Sequence, residues 1–318
     1  MWCSMPLINM ERVFRISDTL KRFELGSAKL DVFDTRYYPP ASDPPKRVAL
    51  YFLVMVAMDH RLSRPGKPYE AVLNGKRIRG ADLLYRLGMM MYGERPEFFS
   101  PENLARVTED EVVAWLTIGD ASPPDPRLRA LLLRDLGQKL ISLYNGNPLA
   151  MLQIPRGYLR AVEGYGLLDL LKVFKAYQDP VEKKAFLLVK FLFYRGLFEP
   201  RDVENLHVPV DNHLTRIALR LGIVELEEAL FKKVLYGYEL AHDEDALIRI
   251  CVREGFKAVS RESGVDVFLL DDFLWVFGRS TCMQDEPKCY SCPFRGVCRA
   301  YEVGVFVKDL NYFNTWYY

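Results

Sequence analysis

Four cysteines stand together in this 318-residue chain. Cys282, Cys289, Cys292 and Cys298 are spaced C-x6-C-x2-C-x5-C within the segment CMQDEPKCYSCPFRGVC. Four thiolates on a loop bent by Pro287 and Pro293 can converge on one centre. Thiolate is the soft ligand that selects zinc or an iron–sulfur cluster. A structural four-cysteine zinc site is one reading of the run; zinc ribbons carry two separated C-x2-C knuckles, and here there is one. The other two cysteines, Cys3 and Cys251, read as ordinary thiols, Cys251 within an amphipathic helix. Upstream, Asp211 follows Pro209-Val210 and precedes Asn212-His213-Leu214-Thr215-Arg216. An Asp at that place can cap a helix. A carboxylate there can also stabilise an oxocarbenium-like sugar or activate water against it.

Helices must position these groups. Apolar spacing of three and four predicts helices over Val48–Met58, Gly80–Met91, Glu109–Trp115, Pro126–Tyr144, Gly166–Ala176, Val181–Tyr194, His213–Leu221, Leu226–Tyr236, Glu244–Ser263 and Val267–Phe277. One β-hairpin interrupts them, Tyr69–Leu73 and Lys76–Arg79 around Asn74-Gly75. The class is all-α with that one excursion. Hydrophobic residues make up 50% and charged residues 27% of the chain, which excludes a disordered tail, a collagen-like chain or a small disulfide scaffold. The length allows two domains. Lys+Arg 43 against Asp+Glu 42 leaves a net charge of +1, so a nucleic-acid partner must be gripped by a local patch. Val48–Met58 is too short to span a bilayer, and no membrane partner is expected. Trp2–Met10 lacks the pattern of a secretory leader, and clustered cysteines then point to a reducing, cytoplasmic setting.

The cysteine spacing resembles the iron–sulfur loop of the endonuclease III and adenine-mismatch branch of the helix-hairpin-helix DNA glycosylases. Leu274–Cys282 (LWVFGRSTC) looks like the segment that leads into that loop, and Val208–Arg216 resembles the family's V-D-T-H-x-x-R segment. The resemblance implies a two-lobed helix-hairpin-helix fold with a [4Fe–4S] cluster on Cys282, Cys289, Cys292 and Cys298, and with Asp211 as catalytic carboxylate. Gln178–Lys184 takes the place of the family's L-P-G-V-G-R-K hairpin without either glycine, Asp179 being expected to cap and Pro180 to open the following helix. Lys184 then matches the lysine that attacks the sugar C1′ in bifunctional members. The long Lys184-to-Asp211 gap is more like the archaeal 8-oxoguanine glycosylase branch.

Residues 46–204 would form a helical barrel domain, and residues 1–45 with 205–318 a second domain carrying Asp211 and the cluster loop. Lys183, His213, Arg216, Arg279, Lys288, Arg295 and Arg299 are expected at the DNA. The implied enzyme is a monomeric glycosylase that cuts the N-glycosidic bond of a damaged or mismatched base in duplex DNA, with or without lyase activity. Two other readings keep the scaffold: a non-catalytic [4Fe–4S] nucleic-acid-binding protein, and a glycosylase of RNA or modified nucleosides. Asp59-His60-Arg61 reads as a polar turn or as a loop filling the gap of a flipped base. The Tyr69–Arg79 hairpin reads as a wedge or lid.

Overall fold

A computed structural model describes residues 5–64, 66–161 and 163–318; Cys3 lies outside them. The chain forms two units. One holds residues 5–30 with Leu206–Thr315, the other Asp31–Asn205 with Trp316–Tyr318.

The second unit is built around the helix Pro45–Met58. Pro45 opens it, where a missing N–H costs nothing. All eleven residues Val48–Met58 are buried, so the helix is apolar on every side and lies at the centre. The helices Pro126–Tyr144 and Lys183–Tyr194 pack on it. Phe52 stacks on Phe191 at 4.8 Å, and the Tyr177 hydroxyl donates to Leu53 O at 2.6 Å. Gly137 lets Pro126–Tyr144 close on the short helix Pro101–Leu104; a Cβ there would lie 2.6 Å from Pro101 O. Helices Ala81–Glu94, Glu109–Leu116 and Pro148–Gln153 complete this shell, Glu109–Leu116 beginning with a Thr108/Glu111 capping box. The hairpin forms as expected, Glu70–Leu73 pairing with Lys76–Arg79.

Two expectations in this unit are corrected. The helix read over Gly166–Ala176 is Leu167–Leu171 followed by a 3₁₀ turn at Lys175–Tyr177, because the Lys175 amide donates to Asp135 Oδ2 at 2.8 Å instead of continuing the helix. The helix after the Asp179 turn starts at Lys183, not Val181. Glu182, at a left-handed φ of 60°, is its N-cap, so Asp179 and Pro180 lie before the helix and neither caps nor opens it as expected; Asp179 still accepts from Lys183 N at 2.7 Å.

In the first unit the helix His242–Ser263 packs against Met10–Leu20 and Asn212–Leu221, which in turn meets Val267–Ser280. Its core gathers Val13, Ile16, Ile217, Ile248, Phe256 and Leu274. Helices Glu228–Tyr236 and Arg299–Val303 flank it. An antiparallel ladder absent from the sequence reading pairs Leu7 with Glu225 and Ile8 with Val224.

Candidate active site

Asp211 occupies the N-cap of Asn212–Leu221. Its Oδ1 accepts from Leu214 N at 2.9 Å, and its carbonyl accepts from the Thr215 hydroxyl at 2.7 Å. Val208 and Val210 are buried just before it, which fixes the approach of the chain. The carboxylate stays half-buried. Next to it, Asn212 Oδ1 accepts from Arg249 Nη2 at 2.7 Å, and Arg249 is paired with Asp245 inside the unit.

The same helix carries two buried arginines. Arg216 donates to Gly278 O at 2.9 Å, to Cys282 O at 3.1 Å and to the Asp309 carboxylate. Arg220 donates to Val307 O at 2.8 Å and to Met283 O and Gln284 O at 2.7 Å. Arg216 is therefore corrected from an expected DNA contact to an internal bracket, 1% exposed, that ties Asp211's helix to the cysteine loop. His213 is half-buried, 4.0 Å from Asp309.

The thiols sit on that bracketed loop. Cys282 N donates to Phe277 O at 2.8 Å and Cys292 N to Cys289 O at 3.2 Å. Arg220 Nη1 lies 3.6 Å from Cys282 Sγ, and Cys298 Sγ 3.3 Å from Arg220 O. Burial, joined by the charges of Cys282, Cys298 and Cys289 and opposed by the Phe294 amide, pushes the Cys292 thiol up to about 11. Burial and then Cys282 likewise raise Cys289. Among the described residues no three His, Cys, Asp or Glu side chains are arranged to hold a metal ion. Four soft donors that feel one another's charge, with a guanidinium beside one sulfur, nevertheless match a thiolate-held metal in chemistry. Around them Lys288, Arg295 and Arg299 are exposed, and Arg279 lies partly exposed over Trp275 at 4.1 Å.

The second unit carries the expected lysines, and both are buried. Lys183 Nζ donates to Asp59 O at 2.7 Å, which corrects it too from DNA contact to internal tie. Lys184 is 0% exposed; its Nζ donates to Ala57 O at 2.8 Å and meets His60 Nδ1 at 3.1 Å. Burial, then Lys183, holds its ammonium well below the usual lysine range. Glu182 is buried between Arg160 and Lys172, the latter at 2.9 Å. In the Asp59-His60-Arg61 run His60 is buried, and the residue that sequence reasoning missed is Arg129. Wholly buried, it donates to Met58 O, His60 O, Arg61 O and Pro124 O at 2.7–3.0 Å. Its one local signal was a cation inside the apolar run Leu128–Leu133.

No family profile and no curated protein sequence matches the chain. Solved structures do. A trapped endonuclease III–DNA covalent intermediate, an estranged-adenine complex, matches with a TM-score of 0.52 and 16% identity, over 94% of this chain and 99% of the other. A non-covalent endonuclease III–DNA complex matches with a TM-score of 0.51, 16% identity and the same coverage. A thermostable thymine-DNA glycosylase has a TM-score of 0.47 at 14% identity, over 92% and 98%. The chain thus has the mostly helical fold of endonuclease III and the helix-hairpin-helix glycosylases, with a small two-stranded hairpin.

Proposed function

We propose that the protein is a DNA N-glycosylase of base-excision repair. It would take a damaged or mismatched base out of the duplex and cut the bond to its sugar. One observation carries this reading: the fold is shared with DNA-bound endonuclease III over nearly the whole of both chains. The likeness to the glycosylase segment at Val208–Arg216, with Asp211 at a helix start, supports the same reading.

Asp211 is the group we assign to the chemistry. Its negative charge would stabilise the oxocarbenium-like sugar and orient or deprotonate the attacking water. A wholly buried Lys184 fits this water route, which needs no lysine, better than an amine attack on the sugar. We assign Cys282, Cys289, Cys292 and Cys298 to a [4Fe–4S] cluster, which when bound would stiffen the loop rather than turn over electrons. Arg279, Lys288, Arg295 and Arg299 would then meet phosphates, setting register without reading sequence.

A panel of duplexes, each carrying one modified or mismatched base, tests the proposal. Incubation followed by alkali should cut the strand at one class of lesion. Binding to every duplex with no alkali-labile site on any of them, or activity confined to RNA, would overturn it.

A further inference from the structure

The Glu70–Arg79 hairpin has no part in the chemistry above. Residues 61–79 hold six Lys or Arg and a single acid, Glu70, in a chain whose net charge is +1, so the rest of the chain is net acidic. The register sorts the hairpin's side chains. Glu70, Val72, Arg77 and Arg79 share one face, and Ala71, Leu73, Lys76 and Ile78 the other. On the first face Val72, Arg77 and Arg79 are exposed; on the second only Lys76, at the tip, is. Arg77 lies 3.7 Å from Glu70 and keeps 73% of its side chain exposed. Arg64 and Lys67, also exposed, pair in an antiparallel bridge just before the ribbon.

An isolated hairpin is marginal in water, and this one is fastened at its base. Tyr69 is 1% exposed, and its hydroxyl donates to Leu116 O at 2.7 Å. The Tyr69 amide donates to the Ser63 hydroxyl at 3.0 Å, and Gly80 N to Tyr69 O at 2.8 Å. The tip is a two-residue turn with both φ angles left-handed, Asn74 at 50° and Gly75 at 74°.

We propose that this ribbon is a second grip on the duplex, with Arg77 and Arg79 holding backbone phosphates and Lys76, Lys67 and Arg64 adding to the field. Residues two apart on a strand stand about 7 Å apart on the same face, so two adjacent guanidiniums face the same way. A two-stranded ribbon is of a size that the major groove admits. The Asn74-Gly75 tip offers no large apolar side chain to wedge between bases, which rules against the wedge. The assignment rests on the DNA-binding part of the reading above, and not on its chemistry.

Anisotropy titrations of the full chain on a short undamaged duplex, between about 50 and 200 mM salt, test it. Arg77→Gln and Arg79→Gln should each weaken binding several-fold and lower the slope of log K against log salt by about 1, the double variant by about 2. Arg77→Lys should keep the slope. Lys232→Gln, on the exposed face of Glu228–Tyr236, should change neither quantity. Melting curves of the variants should match the parent. Unchanged slopes in the double variant would overturn the proposal, as would a wild type that does not bind duplex DNA. Tight, salt-dependent binding without base release would sink the glycosylase reading alone and leave the ribbon to be judged by its slopes.

Discussion

Lys184 Nζ and His60 Nδ1 face each other at 3.1 Å inside a pocket closed to solvent, and the amine donates to Ala57 O at 2.8 Å. Burial lowers the pKa of both partners, so neither gains from becoming charged. His60 Nε2 finds no partner among the described residues, which leaves the imidazole held from one side only.

The amine's confinement predicts a monofunctional enzyme. Borohydride added during turnover should trap no covalent protein–DNA adduct, and strands should break only after alkali. Lys184→Met, which keeps the volume, should retain base release within about tenfold while lowering the melting temperature, since Ala57 O loses its donor. A trapped adduct that vanishes in Lys184→Gln would instead require the side chain to leave its pocket. An adduct that survives Lys184→Gln and disappears in Lys190→Gln would move the nucleophile nearly two turns along the helix.

Asp211 is expected to matter for rate more than for shape. Asp211→Asn keeps an oxygen for the Leu214 amide but loses the charge. Single-turnover base release should fall on the order of a hundredfold or more, while lesion-duplex affinity stays level or rises. Near-normal turnover in this variant would falsify the assignment.

The thiol loop is expected to bring iron. Protein purified without oxygen should be brown, with broad visible absorbance and about four irons. Cys289→Ser should lose the colour and weaken duplex binding while the far-ultraviolet dichroism of the helices largely remains. One zinc and no iron by elemental analysis would replace the cluster with a four-cysteine zinc site.

Asp179 should make stability fall with rising pH in a defined window. Burial raises its carboxyl from 3.8 to about 6, against the opposing pull of the Lys183 amide. Between those values the folded chain holds a proton that the unfolded chain has released. This group's contribution is therefore greatest below pH 4 and is lost as pH climbs through about 6. Urea midpoints measured from pH 4 to 7 should show that decline, and Asp179→Asn should flatten it.

What could be read ahead of the structure was local. Asn74-Gly75 determines its hairpin by turn chemistry alone, and the apolar run Val48–Met58 declares a core helix. Asp211 was legible as a cap for the same reason, since a cap acts on amides two or three residues away. Long-range partners left no such trace. Leu7–Ile8 is two residues long and pairs with Val224–Glu225, more than two hundred positions later. Arg216 and Lys183 were read as groups for phosphates because cations are usually solvated. Beside the Asp309 carboxylate on Arg216, their acceptors are backbone carbonyls, which every residue has and no sequence marks. The exposed cations of the cysteine loop and of the hairpin are the ones that kept the usual behaviour.

The brackets at Arg216 and Arg220 also impose an order of assembly. Both guanidiniums are 1% exposed, and an unpaired buried cation is strongly destabilising. Their acceptors span Gly278 to Asp309, about sixty to ninety residues further along the chain. During synthesis, helix Asn212–Leu221 therefore emerges long before the groups that neutralise it. A nascent chain ending at Phe277 would carry two cations that water must keep, and the core around Ile217 could not close over them. Asp211 would acquire its settled setting only after the loop that bears the four thiols had been made and laid in place.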